Sequence, residues 1–481
     1  MDLFRSLAAQ GAMIERLSSD SRRCAPGVAF LAYPGEKQDG RSHIGDAIRR
    51  GASAVLWEAD GFAWRHEWRV PNVAVRGLKS HAGSLAHDFY GRPSEVLWVC
   101  GVTGTNGKTS CSHWIAAALG AHGTKGAVIG TLGAGFPGAL NDAQNTTPDA
   151  IEIHRLMKQF LVQGAGAVAM EVSSHGVVQG RVQAIAFDCA LFTNLSHDHL
   201  DYHGSMQAYA EAKAKFFDVP GLNAAVLNLD DAMGLRLAQR LAGRGVRVIG
   251  YSLSGVRSAA EFLAATRADE GAMQLESSWG RAEARVNQVG RFNMANALGV
   301  AGCLIAYGLP FRQALAALEK LPAVPGRMQR VAERPLVVVD YAHTPDALEK
   351  VLHALRPVTA QRGGRLIAVF GAGGDRDPAK RPLMGRVVGA MADYAVITSD
   401  NPRSEDPERI MADIRAGMTG RHELEADRAR AIERALAHAR DEDVVLIAGK
   451  GHESYQEIAG ARRPFSDAAV ARAALEGRRR A

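Results

Sequence analysis

Residues 96–110 read VLWVCGVTGTNGKTS, an apolar run followed by a glycine-rich turn and then by a lysine and two hydroxyl side chains. The apolar run predicts a β-strand that ends near Cys100, and a helix is expected to begin near Lys108. Glycines let the backbone N–H groups of such a turn point inward, and the helix dipole favours an anion at its N-terminus. The segment therefore predicts a phosphate-binding loop, formed by Gly104, Thr105, Asn106, Gly107, Lys108, Thr109 and Ser110.

The last residues of this loop predict its chemistry. Lys108 is expected to neutralise phosphate charge, and the hydroxyl group of Thr109 is expected to bind Mg²⁺. The spacing is unusual, because Val102 stands where the common pattern has glycine, and the glycines lie at positions 101 and 104 instead. A plain glycine turn is the alternative. A predicted strand, the GKT sequence and a predicted helix follow one another here, and this combination favours a nucleotide site.

The bulk composition is typical of an α/β enzyme. The chain has 481 residues, which predicts about three domains. Hydrophobic residues make up 47% and charged residues 22%, which excludes a disordered or fibrous chain. The net charge of +6 is spread among acidic neighbours, so we expect no nucleic-acid partner. A modest positive charge suits an anionic nucleotide substrate.

The cysteines and the first residues bear on location. Five cysteines lie far apart and form no CxxC pair, which predicts neither a zinc site nor a disulfide framework and fits a reducing cytoplasm. The first 17 residues lack the unbroken apolar core of a signal peptide. No window reaches the roughly 18 to 20 apolar residues of a membrane span. We therefore expect a cytoplasmic protein without a membrane partner.

Strand and helix patterns divide the chain into three α/β domains. Residues 1–88 predict a small α/β module. Residues 89–322 alternate strands with helices, which predicts a mainly parallel sheet covered on both faces, with an antiparallel edge over 258–290. Pro322, Pro325 and Gly326 mark a hinge. Residues 323–481 contain four apolar strands separated by helices and predict a second, Rossmann-like parallel sheet.

Polar clusters follow the strands of both sheets, at the carboxyl edge where ligands bind in such folds. Glu171 follows one strand and is a candidate Mg²⁺ ligand. Residues 197–203, HDHLDYH, hold three His and two Asp, for which a zinc site is the alternative. Lys213 and Lys215 follow on a helix, and spacing alone indicates surface lysines. The clusters of the C-terminal domain are GAGGDRD, SDNPR and GKGHE.

These motifs, in this order, resemble those of the Mur ligases, the ATP-dependent amino-acid-adding enzymes of peptidoglycan precursor synthesis. The resemblance covers nearly the whole chain and rests on GTNGKT, EVSSH, DHLDYH followed by YxxAK, GRFNMAN, PGRM, DYAHTP and GKGHE. Within the family, DSR at 20–22, NTTP at 145–148 and VQGR at 178–181 are similar to motifs of the members that add the third peptide residue. DNPR at 400–403 resembles the signature of the members that add meso-diaminopimelate.

The resemblance implies a ligand for each domain. Residues 1–88 would bind the UDP substrate, residues 89–322 ATP, and residues 323–481 the incoming amino acid. The implied UDP-substrate site comprises Ser19, Ser21, Asn145, Thr146, Thr147, Ser173, Gln179 and Arg181. The implied ATP site adds Asn296, Arg327 and His343 to the phosphate loop. The implied diaminopimelate site comprises Arg376, Asp400, Asn401, Pro402, Arg403, Gly449 and Glu453.

The resemblance also implies the catalytic and metal-binding groups. Lys108, Lys213 and His199 would be catalytic. Lys213 would be carbamylated, which turns a cation into an anion, and would bind Mg²⁺ together with Thr109, Glu171 and His199. ATP is expected as a co-substrate, and the protein is expected to be a monomer.

The implied reaction joins meso-2,6-diaminopimelate to UDP-N-acetylmuramoyl-L-alanyl-D-glutamate. The free carboxylate attacks the γ-phosphate of ATP, and the amine then displaces phosphate from the resulting acyl phosphate. A lysine-adding ligase and a folylpolyglutamate-type ligase are alternatives, although the latter would not need residues 1–88. A nucleotide switch without ligase activity would leave the C-terminal motifs unexplained. Arg403 favours diaminopimelate, because a guanidinium can pair with the second carboxylate that lysine lacks.

Overall fold

The computed structural model of the chain describes residues 2–36, 38–142, 145–269 and 271–480. Its first elements are α1 (Asp2–Ala9), β1 (Arg16–Ser18), β2 (Val28–Ala32), α2 (Ile44–Arg49), β3 (Ala54–Glu58), β4 (Asn72–Val75) and α3 (Leu78–Phe89), with 3-10 helices at Ser21–Arg23, Gly40–His43 and Pro93–Glu95. Strands β1 to β4 form one parallel sheet in sequence order. Strands β2 and β3 are buried throughout, because apolar side chains on both of their faces are covered.

The next elements build an eleven-stranded sheet. They are β5 (Trp98–Thr103), α4 (Lys108–Ala121), β6 (Gly126–Gly130), β7 (Gly133–Phe136), β8 (Ala139–Asn141), α5 (Ala150–Val162), β9 (Ala167–Glu171), α6 (Ser174–Val178), β10 (Cys189–Phe192), α7 (Leu200–His203), α8 (Met206–Ala214), a 3-10 helix (Lys215–Asp218), β11 (Ala224–Asn228), α9 (Ala232–Leu241), β12 (Arg247–Ser252), β13 (Glu261–Asp269), β14 (Ala272–Ser277), β15 (Gly280–Arg285), α10 (Arg291–Tyr307) and α11 (Phe311–Leu318).

The order of strands in this sheet is β15-β14-β13-β12-β11-β10-β5-β9-β6-β7-β8. Strand β5 lies between β9 and β10, and both pairings are parallel. The carboxyl ends of all three strands therefore meet at one edge, where the phosphate-binding loop leaves β5. This shared edge positions the candidate site described below.

The last elements form a six-stranded sheet and a hairpin. They are β16 (Gln329–Glu333), β17 (Leu336–Asp340), α12 (Pro345–Arg362), β18 (Leu366–Phe370), α13 (Lys380–Met391), β19 (Tyr394–Ile397), α14 (Pro407–Arg415), β20 (His422–Leu424), α15 (Arg428–His438), β21 (Val444–Ala448), β22 (Tyr455–Ile458), β23 (Ala461–Pro464) and α16 (Asp467–Arg480). The order β16-β17-β21-β18-β19-β20 is parallel except for β16, which is antiparallel to β17.

Alternate residues of the central strands of this sheet pack into two separate cores. Val338, Ala368 and Leu446 belong to one core, whereas their neighbours Val337 and Val445 belong to the other. Helices cover both faces, which explains why the strands read as continuous apolar runs. The Rossmann-like prediction for this part of the chain is confirmed.

Two compact units make up the chain. Met1–Thr266, Gln274–Ala282 and Ala297–Leu318 form the first, and Arg267–Met273, Glu283–Asn296 and Glu319–Ala481 form the second. No helix among the described residues is both long enough and apolar enough to cross a bilayer.

The α/β class and most elements agree with the sequence predictions. The prediction of an antiparallel edge over 258–290 is confirmed, because β13, β14 and β15 lie side by side at one end of the sheet, where Phe262 is opposite Ser278 and Thr266 is opposite Gln274. Strand β13 also pairs with β12, and that pairing is parallel. The sequence did not predict a second antiparallel edge, which is the hairpin of β7 and β8 at the other end of the sheet, over residues 133–141. This hairpin is glycine-rich and short, so it lacks the apolar alternation by which strands are found.

Candidate functional site

Two glycines shape the phosphate-binding loop. Gly104 has a φ of 146° and Gly107 a φ of 89°, and Gly107 is the N-cap of α4. A Cβ atom added at Gly104 would lie 1.9 Å from Thr193 Oγ1 and 3.0 Å from the backbone N of Asn194. The loop therefore passes so close to the end of β10 that position 104 admits glycine only.

The residues after β10 hold the loop in place by hydrogen bonds. Thr193 Oγ1 donates to the carbonyl oxygen of Asn106 at 2.6 Å, and Asn194 Oδ1 accepts from the N–H of Asn106 at 3.0 Å. The N–H of Thr105 donates to the Asn194 carbonyl oxygen at 2.8 Å. The residues after the neighbouring strand thus preorganise the loop.

Lys108 lies over the loop that it follows. Its Nζ donates to the carbonyl oxygens of Gly104 at 2.8 Å and Thr105 at 2.9 Å. Its ammonium is therefore held at the mouth of the loop, where a bound phosphate would meet it.

The predicted Mg²⁺ ligands Thr109 and Glu171 are in contact. Thr109 Oγ1 donates to Glu171 Oε2 at 3.2 Å, and the N–H of Thr131 donates to Glu171 Oε1 at 2.8 Å. Glu171 is only 1% exposed and faces Gly130, where an added Cβ would lie 2.3 Å from Glu171 Oε1. A buried carboxylate beside a hydroxyl group is an oxygen donor set of the kind that Mg²⁺ prefers.

Lys213 is buried, so the interpretation from spacing alone is wrong for it, whereas Lys215 is exposed as expected. Lys213 Nζ donates to the Gly104 carbonyl oxygen at 3.0 Å and lies 4.4 Å from the centre of the Tyr209 ring. Burial, and then the nearby charge of Lys108, hold the pKa of the Lys213 ammonium well below its usual range. The side chain therefore gives up its proton readily, which makes its amine a nucleophile.

Three histidines gather around the His-Asp loop. The ring of His175 lies 4.9 Å from that of His199 and 5.4 Å from that of His203. Burial lowers the pKa of all three, and Lys108 and Lys213 also lower that of His199. Neutral imidazoles suit metal binding, but the described residues of this loop do not bring three ligand atoms within 4.8 Å of one another. The described residues of this loop therefore form no assembled zinc site.

Five of the residues implied for the UDP substrate form one connected group beside Glu171. Thr147 Oγ1 donates to the Glu171 carbonyl oxygen at 2.8 Å and to Ser173 Oγ at 3.1 Å. Thr146 Oγ1 lies 3.0 Å from Thr131 Oγ1. Arg181 donates to the Thr147 carbonyl oxygen at 2.7 Å and to Gln179 Oε1 at 2.8 Å.

Glu36 extends this group toward the N-terminal module. Gln179 Nε2 donates to Glu36 Oε2 at 2.7 Å, and the Tyr202 hydroxyl donates to Glu36 Oε1 at 3.0 Å. Ser19 and Ser21 lie on either side of Asp20, the N-cap of the 3-10 helix after β1, and Asn145 is exposed. These three residues belong to the same compact unit, but the contacts above do not include them.

The second unit holds Arg327 and His343 around Asp340. Asp340 Oδ2 accepts from the N–H of Met328 at 2.7 Å, which orients the PGRM segment. The Arg327 guanidinium lies 4.8 Å from the centre of the Tyr341 ring, and its Nε makes no hydrogen bond with any described residue. Burial lowers the pKa of His343. Asn296 is buried, and its Nδ2 lies 3.4 Å from Asn293 Oδ1.

The DNPR and GAGGDRD clusters pack against each other. Arg403 has a φ of 52°, and its Nη1 donates to the Gly374 carbonyl oxygen at 2.5 Å. A Cβ atom added at Gly373 would lie 3.0 Å from Arg403 Nη1 and 3.8 Å from Arg376 Cγ. The two arginines implied for diaminopimelate therefore meet over Gly373. Pro402 contributes its carbonyl group, which leaves no space for a Cβ at Gly374.

The remaining implied diaminopimelate residues surround the buried Lys450. Its Nζ lies 3.0 Å from Asn401 Oδ1, 3.1 Å from Glu453 Oε2 and 3.9 Å from Asp400 Oδ1. Asn401 Nδ2 also donates to Glu453 Oε2 at 2.7 Å. Gly449 has a φ of 116°, and a Cβ there would lie 2.4 Å from Asp400 Oδ2. The structure thus brings DNPR and GKGHE together.

Sequence reasoning missed a buried ion pair that supports both clusters. Arg428 and Asp467 are fully buried, and two hydrogen bonds of 2.7 and 2.8 Å join them. Arg428 also donates to the carbonyl oxygens of Ala448 at 2.9 Å and Ser399 at 3.3 Å. These carbonyls immediately precede Gly449 and Asp400. No motif marks either residue, because they are 39 positions apart in helices that read as ordinary charged segments.

Family models match three consecutive parts of the chain. The "Mur ligase family, catalytic domain" model matches residues 13–90, the "Mur ligase middle domain" model residues 102–304, and the "Mur ligase, glutamate ligase domain" model residues 326–451.

Two curated relatives are similar over almost their whole length. The UDP-N-acetylmuramoyl-L-alanyl-D-glutamate--2,6-diaminopimelate ligase of Chromobacterium violaceum is 52% identical over 472 residues, which cover 97% of this chain and 95% of the relative. The ligase of the same name from Pseudomonas aeruginosa is 49% identical over 471 residues, which cover 96% and 95%.

Solved structures show the same architecture. One titled as a UDP-N-acetylmuramoyl-L-alanyl-D-glutamate--2,6-diaminopimelate ligase has a TM-score of 0.69 at 36% identity, covering 97% of this chain and 95% of that one. The Mycobacterium tuberculosis folylpolyglutamate synthase has a TM-score of 0.61 at 19% identity, covering 77% of this chain and 92% of that one, so it shares the fold alone. The matched models and the full-length relatives lead to one conclusion: the chain belongs to the Mur ligase family.

Proposed function

We propose that this protein is an ATP-dependent ligase that joins meso-2,6-diaminopimelate to UDP-N-acetylmuramoyl-L-alanyl-D-glutamate. The relatives that are about half identical over their whole length carry this activity in their names. The observation that carries the proposal is the loop at the end of β5, where Lys108 and Lys213 both donate to one carbonyl oxygen beside the Thr109 and Glu171 pair. We also propose that the protein is a monomer and that it is located in the cytoplasm.

The phosphate-binding loop would hold ATP for attack by the substrate carboxylate. Both reactants are anionic, so the reaction needs positive charge where they meet. Lys108 would supply it after exchanging its contacts with the loop carbonyls for phosphate oxygens. Attack forms a bond from the carboxylate oxygen to the γ-phosphorus, breaks the bond to the β-γ bridging oxygen and releases ADP.

Thr109 and Glu171 would hold Mg²⁺, with His199 and a carbamate on Lys213 as further ligands. When bound, the ion would neutralise charge on the phosphate oxygens. The low pKa of Lys213 fits the carbamate, because a neutral amine attacks CO₂, and loss of a proton then leaves an anion. Thr146, Thr147, Ser173, Gln179 and Arg181 would bind the UDP substrate, together with Ser19, Ser21 and Asn145.

The second unit would select the amino acid. Arg403 and Arg376 would pair with the distal carboxylate of meso-diaminopimelate, and Glu453 and the Gly449 carbonyl would accept its ammonium. Asp400, Asn401 and Pro402 would shape this site. Asn296, Arg327 and His343 would contact ATP, and the unpaired Arg327 Nε is available for a ligand.

The test is an assay of phosphate release and product formation with ATP, the UDP dipeptide and one amino acid at a time. We expect product with meso-diaminopimelate and little with lysine, and none from the matched Lys108→Ala variant. Equal use of lysine would instead support the lysine-adding ligase. ATP hydrolysis without any amide product would support a nucleotide switch, and both results would overturn the proposal.

A further inference from the structure

Three of the five cysteines meet in the core beneath the phosphate-binding loop. Cys100 lies on β5 and Cys189 on β10, and the two residues are direct partners in the parallel register of these strands. Cys303 lies on α10. All three are fully buried. They are 89 and 114 positions apart, so their spacing along the chain gave no sign of a site.

The three sulfur atoms form a small triangle. Cys303 Sγ lies 3.9 Å from Cys100 Sγ and 4.0 Å from Cys189 Sγ, and all three atoms lie within 4.8 Å of one another. Metal–thiolate bonds of about 2.3 Å place sulfur atoms about 4.0 Å apart around a trigonal ion. Two sides of the triangle therefore already have the length that one trigonal ion requires.

The donor set points to a soft cation of low coordination number. Thiolate sulfur selects Cu(I), zinc and iron–sulfur clusters over the hard ions. Structural zinc is almost always tetrahedral, and among the described residues no fourth His, Cys, Asp or Glu joins the group. Full burial also leaves the cluster closed to a water ligand. Cu(I) is satisfied by sulfur alone and needs no fourth ligand.

We propose that Cys100, Cys189 and Cys303 form a binding site for a single Cu(I) ion. Binding forms copper–sulfur bonds and releases thiol protons to solvent, and the ion enters and stays in the +1 state, so no electron is transferred. This inference does not rest on the proposed ligase activity.

A direct test is a competition titration of the reduced protein under anaerobic conditions. The protein withdraws Cu(I) from a chromophoric Cu(I) chelator, and loading is followed to equilibrium because a fully buried site opens only by local fluctuation. We expect one Cu(I) per chain. Cys303→Ser and Cys189→Ser should each weaken binding by more than about tenfold. Cys111→Ser is the matched control, since Cys111 is also fully buried, and should bind like the parent.

The outcomes are decisive in both directions. No withdrawal of Cu(I), unchanged binding by Cys303→Ser, or loss of binding by Cys111→Ser would overturn the proposal. X-ray absorption of the Cu(I)-loaded parent needs no variant and covers the case in which a serine variant does not fold. Three sulfur neighbours would support the site, whereas two sulfurs in line, or nitrogen and oxygen neighbours, would refute it.

Discussion

Two lysines share one acceptor, the carbonyl oxygen of Gly104, which receives hydrogen bonds from Lys108 and Lys213. Two ammonium groups at one oxygen repel each other, and Lys213 is the more buried. The lowered pKa of Lys213 reduces this repulsion, because its amine loses a proton more readily than an ordinary lysine. The same contact would favour the proposed carbamylation of Lys213 and would leave Lys108 to face the phosphates.

Replacement of Lys213 by methionine tests this arrangement through stability. The pKa of Lys213 is lowered in the fold and returns to about 10.4 in the unfolded chain. The unfolded chain therefore binds more protons between these two values, and the parent gains stability as pH rises through that window. In CO₂-free buffer, Lys213→Met should be more stable than the parent at pH 7. The difference between their free energies of unfolding should become smaller toward pH 10. Denaturant unfolding at several pH values measures this difference. A difference that does not change with pH would contradict the lowered pKa of Lys213.

Arg403 is the residue predicted to select the amino-acid substrate. Lysine would leave the guanidinium without its carboxylate partner, at a cost of about 2 to 5 kcal/mol when the site is desolvated. This corresponds to a preference for meso-diaminopimelate of roughly thirtyfold to several thousandfold. Arg403→Ala should raise the KM for meso-diaminopimelate far more than that for ATP and narrow the preference over lysine. Steady-state kinetics with both amino acids test this prediction. If Arg403→Ala keeps the preference of the parent for meso-diaminopimelate over lysine, Arg403 does not select the amino acid.

At the scale of elements, the buried pair of Arg428 and Asp467 joins α15 and α16 to the ends of two strands. Asp467→Asn should destabilise the protein by about 3 to 5 kcal/mol, because it leaves a buried guanidinium without its counter-ion. It should also raise the KM for meso-diaminopimelate more than that for ATP, since Arg428 holds the carbonyls before Asp400 and Gly449.

The matched control for this pair is Asp413→Asn. Asp413 pairs with the buried Arg381 at 3.0 Å, but its own side chain is 40% exposed. Asp413→Asn should leave the ratio of the two KM values unchanged. Equal shifts of both KM values in Asp467→Asn would show that the pair stabilises the fold without positioning the amino-acid site.

The sequence predicted elements better than it predicted burial. The strand at β5, the loop and the helix α4 follow from local pattern, since an apolar run, glycines and GKT act over short distances. The burial of Lys213 does not, because it depends on Tyr209 and on a carbonyl 109 positions away. The cysteine cluster and the pair of Arg428 and Asp467 are likewise products of tertiary packing. Sequence motifs supplied the predicted site residues, and the structure adds the residues that hold them.

At the scale of the whole molecule, His154 makes the first unit sensitive to acid. It lies on α5, and its ring is 5.1 Å from that of His87 on α3. Burial, opposed by a hydrogen bond to the Gln183 carbonyl oxygen and aided by His87, lowers its pKa from 6.5 to about 4. The unfolded chain therefore binds the extra proton between pH 6.5 and 4, so the parent loses stability as pH falls through that range, by about 3 kcal/mol in full.

His154→Gln should flatten this dependence. Its free energy of unfolding should change less than that of the parent between pH 7 and pH 4.5, as measured by denaturant titration. His81→Gln is the control, since His81 is exposed and should keep the pH dependence of the parent. A parent curve that matches His154→Gln at every pH would refute the assignment.

Glu36 contacts Gln179 and Tyr202, so a side chain of the protein itself would compete with the ligand at the proposed substrate site. A ligand carboxylate that binds Gln179 replaces one that is already there. Its apparent affinity is the intrinsic affinity multiplied by the fraction of molecules in which Glu36 has let go. Glu36→Ala should therefore tighten binding of the UDP dipeptide in calorimetry, mostly through faster association, and unaltered or weaker binding would argue against such competition. Release of Glu36 would then set the rate at which the site exchanges an internal carboxylate for an external one.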